Sequence, residues 1–171
     1  LEEGSSAFTP VVIRPATVCG YSPRQRLDLT VNILTNHAVN RRRITVFGGA
    51  QTRPNIHIED IAGLYADLLE TPREAIDGKT YNAGHRNASV AEIAETVKKT
   101  VEELIPEGGP IEVAASPTDD PRSYRICSEK IERELGFVAR RSIDEGARDL
   151  VRAFRAGLLP DSLSDSRYFN I

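Results

Sequence analysis

The run TPVVIRPATV, residues 9–18, constrains the fold more than any other stretch. Its β-branched residues suit a pleated, packed surface, so it reads as an interior strand, with Pro15 marking where the strand ends or leaves its ladder. An interior strand needs neighbours, and the rest of the chain supplies candidates between helical segments. Residues 26–39, RLDLTVNILTNHAV, place Leu27, Val31, Leu34 and Ala38 at helical spacing on one apolar face. ITVF and NIHI then read as a pair of strands around the Gly48-Gly49 turn. Asp60 is expected to cap a second amphipathic helix carrying Ile61, Leu64, Tyr65 and Leu68, which ends before Pro72.

KTYNAG follows as a short strand ending at Gly84. Ser89, with Glu92 three positions on, predicts a capping box for the helix SVAEIAETVKKTVEEL. After a Gly-Pro turn come the strand IEVAA, a short helix closed by Gly136, and a last helix from Ser142. Strands and helices in this order make an α/β chain, with no internal repeat, low-complexity segment or linker dividing it.

Composition excludes several function classes. With 171 residues, 40% of them hydrophobic, the chain can bury a core, so it is not a disordered tail. The 22 basic and 25 acidic residues nearly cancel, and the run Arg41-Arg42-Arg43 reads as the solvated end of a helix rather than a phosphate patch, so nucleic acid is not implied. No apolar run approaches the ~20 residues that span a bilayer, and no signal peptide opens the chain. Cys19 and Cys127 fit neither a redox nor a zinc pattern and are expected to be buried as small hydrophobes, which suits a reducing cytoplasm. The opening residues Leu1-Glu2-Glu3-Gly4 run abruptly from what reads as a helix end into the first strand, and the expectation is that further chain precedes them.

The chemistry legible without further comparison is modest. His37, His57 and His85 show no metal-ligand spacing and read as structural. The sequence has no Gly-x-Ser-x-Gly elbow, Walker loop, Gly-x-Gly-x-x-Gly fingerprint or Tyr-x-x-x-Lys pair, so neither a catalytic group nor a metal site is assigned.

Five segments in order are more informative: VVIRPATVCGYSPRQRLD, ITVFGGAQTRPNIHIEDIA, KTYNAG, DDPRSYRICSEKIERELGF and SIDEGARDL. Together they resemble the C-terminal half of the extended short-chain dehydrogenase/reductases, which include the NAD-dependent nucleotide-sugar epimerases and dehydratases. The resemblance implies the C-terminal part of a Rossmann-type enzyme. Residues 1–25 would be a late strand of the Rossmann sheet and its following loop, and residues 26–171 a small mixed α/β substrate domain. The domain that carries the glycine-rich loop and the catalytic tyrosine and lysine would lie upstream.

By the same resemblance the intact protein is a homodimeric cytoplasmic enzyme that binds NAD or NADP mainly through that upstream domain. It acts on a nucleotide-diphosphate sugar by transient hydride transfer. A nucleotide-sugar reductase and a non-catalytic binding module with the same fold are the alternatives. Pro15, Ala16 and Val18 would border the cofactor. Thr45, Val46 and Phe47 would meet the nucleotide base, although residue type alone makes Phe47 a core residue. Arg53 would hold the pyrophosphate with Arg122 and Tyr124 of a closing loop, and Asn82 would lie nearby. A guanidinium suits that work because its planar fork donates two hydrogen bonds and stays charged. His57 and Asp60 are expected to be structural.

The chain also departs from the family pattern. Pro117 stands where relatives carry an earlier basic residue, Cys19 where a tyrosine is common, and Thr17, also expected at the substrate, where some dehydratases carry an asparagine.

Overall fold

The computed structural model describes residues 8–119 and 122–170; the expected helix end at residues 1–7 lies outside them. The first half of the chain forms β1 (Val11–Pro15), β2 (Thr17–Cys19), α1 (Thr30–Arg41), β3 (Arg43–Phe47), β4 (Thr52–His57) and α2 (Ile58–Glu70). The second half forms α3 (Arg73–Ile76), β5 (Lys79–Ala83), β6 (Arg86–Ser89), α4 (Val90–Leu104), β7 (Glu112–Ser116), α5 (Glu129–Leu135) and α6 (Ile143–Arg155).

Pro15 ends the first strand as expected, and the break moves the chain between sheets. β1 runs parallel to β5, whereas β2 runs parallel to β4, which pairs on its other side with antiparallel β6. The expected β3–β4 pairing does not form. β3 instead runs parallel to β7, with Arg43 opposite Glu112 and Phe47 opposite Ser116. Gly48 (φ 76°) and Gly49 (φ 108°) make a crossover rather than a hairpin. The Gly48 amide stays on Ser116 of β7, while the Gly49 carbonyl accepts from Ala91 at the start of α4. The positive φ of Gly48 requires glycine at the crossover, and a Cβ there would also push aside the side-chain ends of Gln51 and Thr118, at 2.4 and 2.5 Å.

The three-stranded sheet lies between two apolar clusters. One joins Val31, Leu34 and Ala38 of α1 to Val97 and Val101 of α4, Ala147 and Val151 of α6, and Ile44 and Val46 of β3. The other packs Ile61, Leu64 and Leu68 of α2 and Ile131 of α5 on Ile56 and the β1–β5 pair. Helix α1 begins at Thr30, later than the apolar spacing predicts. Buried Asn32 and Gln25 explain why: their amides donate to the Arg26 carbonyl at 2.8 and 3.1 Å, holding residues 20–28 as a loop. Leu27 is still fully buried, but against Leu150, Ala153 and Leu159.

Both capping serines hold. Ser89 caps α4 with Glu92, and Ser142 caps α6 with Glu145, each as a full capping box. Asp60 does not cap α2. His57 does, its Nδ1 accepting from the Glu59 amide while Nε2 donates to Asp149 of α6 at 3.1 Å. Asp60, in the first turn of α2, accepts from the amides of Arg140 and Arg141 and so ties α2 to the approach to α6.

The last residues return to α1. Asn36 and Ser162 exchange hydrogen bonds at 2.9 Å, the Leu27 amide donates to Tyr168, and the Asn170 amide donates to the Asp28 carboxylate. Cys19 is buried as expected, but Cys127 is exposed because the stretch leading into α5 runs over the surface. Burial, reinforced by the Asp60 and Asp149 carboxylates, pushes the Cys19 thiol up to about 12.

Candidate functional site

Alternation along β3 decides which of its residues face a ligand. Ile44 and Val46 turn into the core, which leaves Arg43, Thr45 and Phe47 on the opposite face. The core reading of Phe47 therefore fails: its ring is 58% exposed. With Thr45 it forms one wall of a groove of about 400 Å³, whose other wall is α1. Val46, expected at the base, presents only backbone, and that backbone is engaged in the β3–β7 ladder.

Helix α1 contributes the residues its core face does not use. Thr30, Ile33, His37 and Arg41 recur at helical spacing along the groove. Burial, with the Arg41 charge as a second cause, lowers the pKa of His37, which keeps its ring neutral around neutral pH. The basic run divides at Arg42, whose left-handed backbone (φ 50°) sends its guanidinium to the Gly109 carbonyl. Arg41 and Arg43 turn instead to the groove, so two of the three arginines line a cavity besides meeting solvent.

At the other end of α1 the groove continues into a smaller cavity of about 190 Å³, sharing Asp28, Thr30 and Arg53 with it. Thr17, Arg53, Arg122 and Tyr124 all line this cavity, although they are widely separated in sequence. The loop that brings the last two is docked on β4. The Thr52 amide donates to the Ser123 hydroxyl at 3.0 Å, and the Tyr124 amide to the Thr52 carbonyl at 3.3 Å. Arg53 itself donates to the Arg122 carbonyl and lies 5.8 Å from the centre of the Tyr124 ring. Two guanidiniums, an aromatic edge and a threonine hydroxyl around a small cavity suit a doubly charged anion.

Among the described residues, Asp28 is the one carboxylate bordering both spaces. Its hydrogen bonds from Arg26, at 2.8 and 3.1 Å, are the main cause that lowers its pKa, and the Asn170 amide adds to them. It stays ionised and offers an acceptor for a hydroxyl.

Other expected residues lie apart. Asn82 is within β5, opposite Arg14, and lines neither space. Of the residues expected at a cofactor, Pro15 is exposed at the carboxyl end of β1, Ala16 is buried and Val18 half-buried. Among the described residues no cluster of His, Cys, Asp or Glu is placed to hold a metal, and no helix is long and apolar enough to cross a membrane. Asp28, His37, Arg41 and Arg43 were missed by sequence reasoning. For His37 and Arg41 the available signal was a second, polar-edged face at helical spacing on α1.

Comparison with known proteins bears on the fold and the family. The sequence model described as "NAD dependent epimerase/dehydratase family" matches residues 3–84. A dTDP-glucose 4,6-dehydratase of Neisseria gonorrhoeae is 31% identical over 144 residues, covering 77% of this chain and 40% of the relative. UDP-glucose 4-epimerase 2 of Arabidopsis thaliana is 31% identical over 153 residues, covering 84% of this chain and 43% of the relative. The chain thus spans about two fifths of the length of these curated relatives.

Among solved structures, the UDP-glucose 4-epimerase of Thermotoga maritima with UDP-glucose superposes with a TM-score of 0.68 at 23% identity, over 89% of this chain and 48% of that one. RMD of Pseudomonas aeruginosa complexed with NADPH gives a TM-score of 0.72 at 15% identity, over 90% of this chain and 50% of that one. The fold is that of Rossmann-type epimerases and dehydratases, and the chain belongs to the NAD-dependent epimerase/dehydratase family of extended short-chain dehydrogenase/reductases.

Proposed function

We propose that this chain is the substrate-gripping part of an NAD- or NADP-dependent nucleotide-sugar epimerase or dehydratase. The observation that carries the reading is the meeting of Thr17, Arg53, Arg122 and Tyr124 in one cavity that opens into the groove beside the exposed Phe47. In this reading the diphosphate lies on Arg53 and Arg122, the base lies along Phe47 and Thr45, and the sugar extends past Tyr124 towards Thr17. The β1–β5 pair continues the sheet of a cofactor-binding domain, and most of the chain after residue 25 forms the substrate side.

A nicotinamide cofactor supplies the hydride acceptor for such chemistry. Of the residues expected beside it, Pro15 fits by exposure and by its place at the carboxyl end of a parallel strand. The chain's own task is to bind and orient. Arg53 and Arg122 neutralise a charge that takes no part in bond breaking, and the binding energy so gained holds the sugar in register. Asp28 accepts a hydroxyl hydrogen bond at the junction of the two spaces. No Tyr-x-x-x-Lys pair occurs in this sequence, so the chain by itself binds a nucleotide-sugar without turning it over.

Arg53→Ala tests the reading. In the protein that carries this chain, UDP-glucose or dTDP-glucose binding should weaken by about 1.5–3 kcal/mol, the size of a lost charge-assisted hydrogen bond. Cofactor affinity should hold. Arg53→Lys should recover part of the loss, because an ammonium keeps the charge without the two-pronged geometry. Because Arg53 also supports the Arg122 loop, a melting curve of each variant separates lost contact from lost structure. Unchanged nucleotide-sugar affinity in Arg53→Ala would place the phosphate elsewhere.

A further inference from the structure

Among the described residues that line the groove, His37 is the one whose charge can change near neutral pH, and the proposed function leaves it idle. It sits on α1 about 10 Å beyond Thr30, where the groove opens into the Arg53 cavity. The residue is half-buried, and no hydrogen bond from another described residue reaches either ring nitrogen. The charged groups around it are few. Arg41 follows on the same face of α1, and Arg43 lines the groove from β3 with Glu112 of β7 behind it at 3.7 Å. Arg53 stands at the β4 end, and Asp28 precedes the helix. The other residues of the lining are uncharged. Three guanidiniums against one carboxylate leave the groove positive, which suits an anion and opposes a further positive charge on the ring.

We infer that the charge on His37 regulates the groove's hold on an anionic nucleotide-sugar, so that binding tightens as pH falls and draws a proton onto the ring. The inference rests on the groove being a nucleotide-sugar site, and it adds how that site responds to pH. It needs no particular pose of the ligand, because a charge acts at a distance. With the groove empty, burial first and then the Arg41 charge disfavour the imidazolium, and the ring is neutral around neutral pH. A diphosphate at the Arg53 end brings negative charge, which offsets the arginines and favours the imidazolium. The bound form therefore holds its proton to a higher pH than the free form. Affinity then rises as pH drops through the interval between the two, and levels off below it. Asp28 does not reverse the trend, because Arg26 holds its carboxyl below the usual range and it stays ionised throughout. The arginines keep their charge at any working pH.

The test is calorimetric titration of UDP-glucose and dTDP-glucose into the protein that carries this chain, from about pH 7.5 to about pH 5.5. Their diphosphate is esterified at both ends and keeps its charge over that range. Affinity should rise about three- to tenfold on acidification, the effect of a unit charge about 10 Å from a diphosphate in a partly solvated groove. At about pH 6 binding should also take up a fraction of a proton, read from the difference in heat between two buffers of unlike ionisation enthalpy. His37→Gln, which fills similar space and stays uncharged, should flatten the pH profile and abolish the uptake, and a melting curve checks that the variant folds. An affinity independent of pH in the unaltered protein, or binding without proton uptake, overturns the inference and leaves the nucleotide-sugar site standing. A profile that stays as steep in His37→Gln also overturns it, since the proton would then sit on another group. Failure of both nucleotide-sugars to bind at either extreme would remove the site reading, and this inference with it.

Discussion

Cys19 and Cys127 show how far one residue type can differ with its surroundings. Cys19 is buried against α6, where Gly146 lets the helix approach so closely that a Cβ there would stand 2.9 Å from the sulfur. Burial and neighbouring carboxylates raise its pKa to about 12, so almost no thiolate exists near neutral pH. The folded protein should therefore react with a disulfide-exchange thiol reagent at one sulfur. Cys127→Ser should abolish the reaction, and Cys19 should respond only after denaturant is added. Rapid labelling of both thiols without denaturant would contradict the buried position.

Residue identity also governed what could be read ahead of the structure. Arg53, Arg122, Tyr124 and Thr17 were legible through their motifs, and they do meet. Phe47 was half legible: residue type said core, while strand alternation, once Ile44 and Val46 are known to be buried, puts it with Thr45 on the other face. His37 left only the weak trace of a second face on α1, and Asp28 left none, because the loop that carries it is set beside the groove by Tyr168 and Asn170, distant in sequence.

At the scale of elements, the two serine-capped helix starts were the most legible feature, because a capping box is a local arrangement, whereas the starts of α1 and α2 were misplaced. Ser89 with Glu92 was read from spacing alone, and Ser142 was read as a start without its partner Glu145. Strand pairing was not local and was misread. Two strands joined by Gly48-Gly49 invite a hairpin, yet β3 pairs with a strand some 70 residues on.

The capping boxes carry a pH prediction. Backbone amides of Ser89 and Ser142, followed by their hydroxyls, hold the Glu92 and Glu145 carboxyls below the usual range. A folded-state pKa below the unfolded one gives stability that is present above the unfolded value and is lost as pH falls through the folded one. Melting temperature should thus fall as pH drops below about 4.3. Glu92→Gln/Glu145→Gln should make that fall shallower, because glutamine keeps the box without titrating. Ser89→Ala and Ser142→Ala should each cost about 1 kcal/mol at neutral pH. A double glutamine variant with the unaltered pH slope would show that the boxes do not govern acid stability.

Over the whole molecule, the groove depends on residues at both extremes of the described chain. The loop that presents Asp28 is held from within by Gln25 and Asn32, and from the far end by Tyr168 and Asn170. Removing residues 158–171 would take away the Leu159 cover over Leu27, the partner of Asn36 and one hydrogen bond to Asp28. Such a truncation should lower the melting temperature. Hydrogen exchange should quicken across residues 20–29 and stay slow in β1 and β5, whose cluster does not include the tail. Uniform loss of protection would show that the two clusters unfold as one. The tail was also the part least legible in the sequence, since LLPDSLSDSRYFN has neither strand alternation nor a long helical period.

The same tail sets an order of events during synthesis. A ribosome releases α1, β3 and β4 long before residue 170, so the groove walls can assemble while the loop bearing Asp28 still lacks its last support. The site is then finished only once residues 168 and 170 have emerged, and a translation product stopped at residue 158 would carry the arginines of the site while the carboxylate between them lacked its support from the tail.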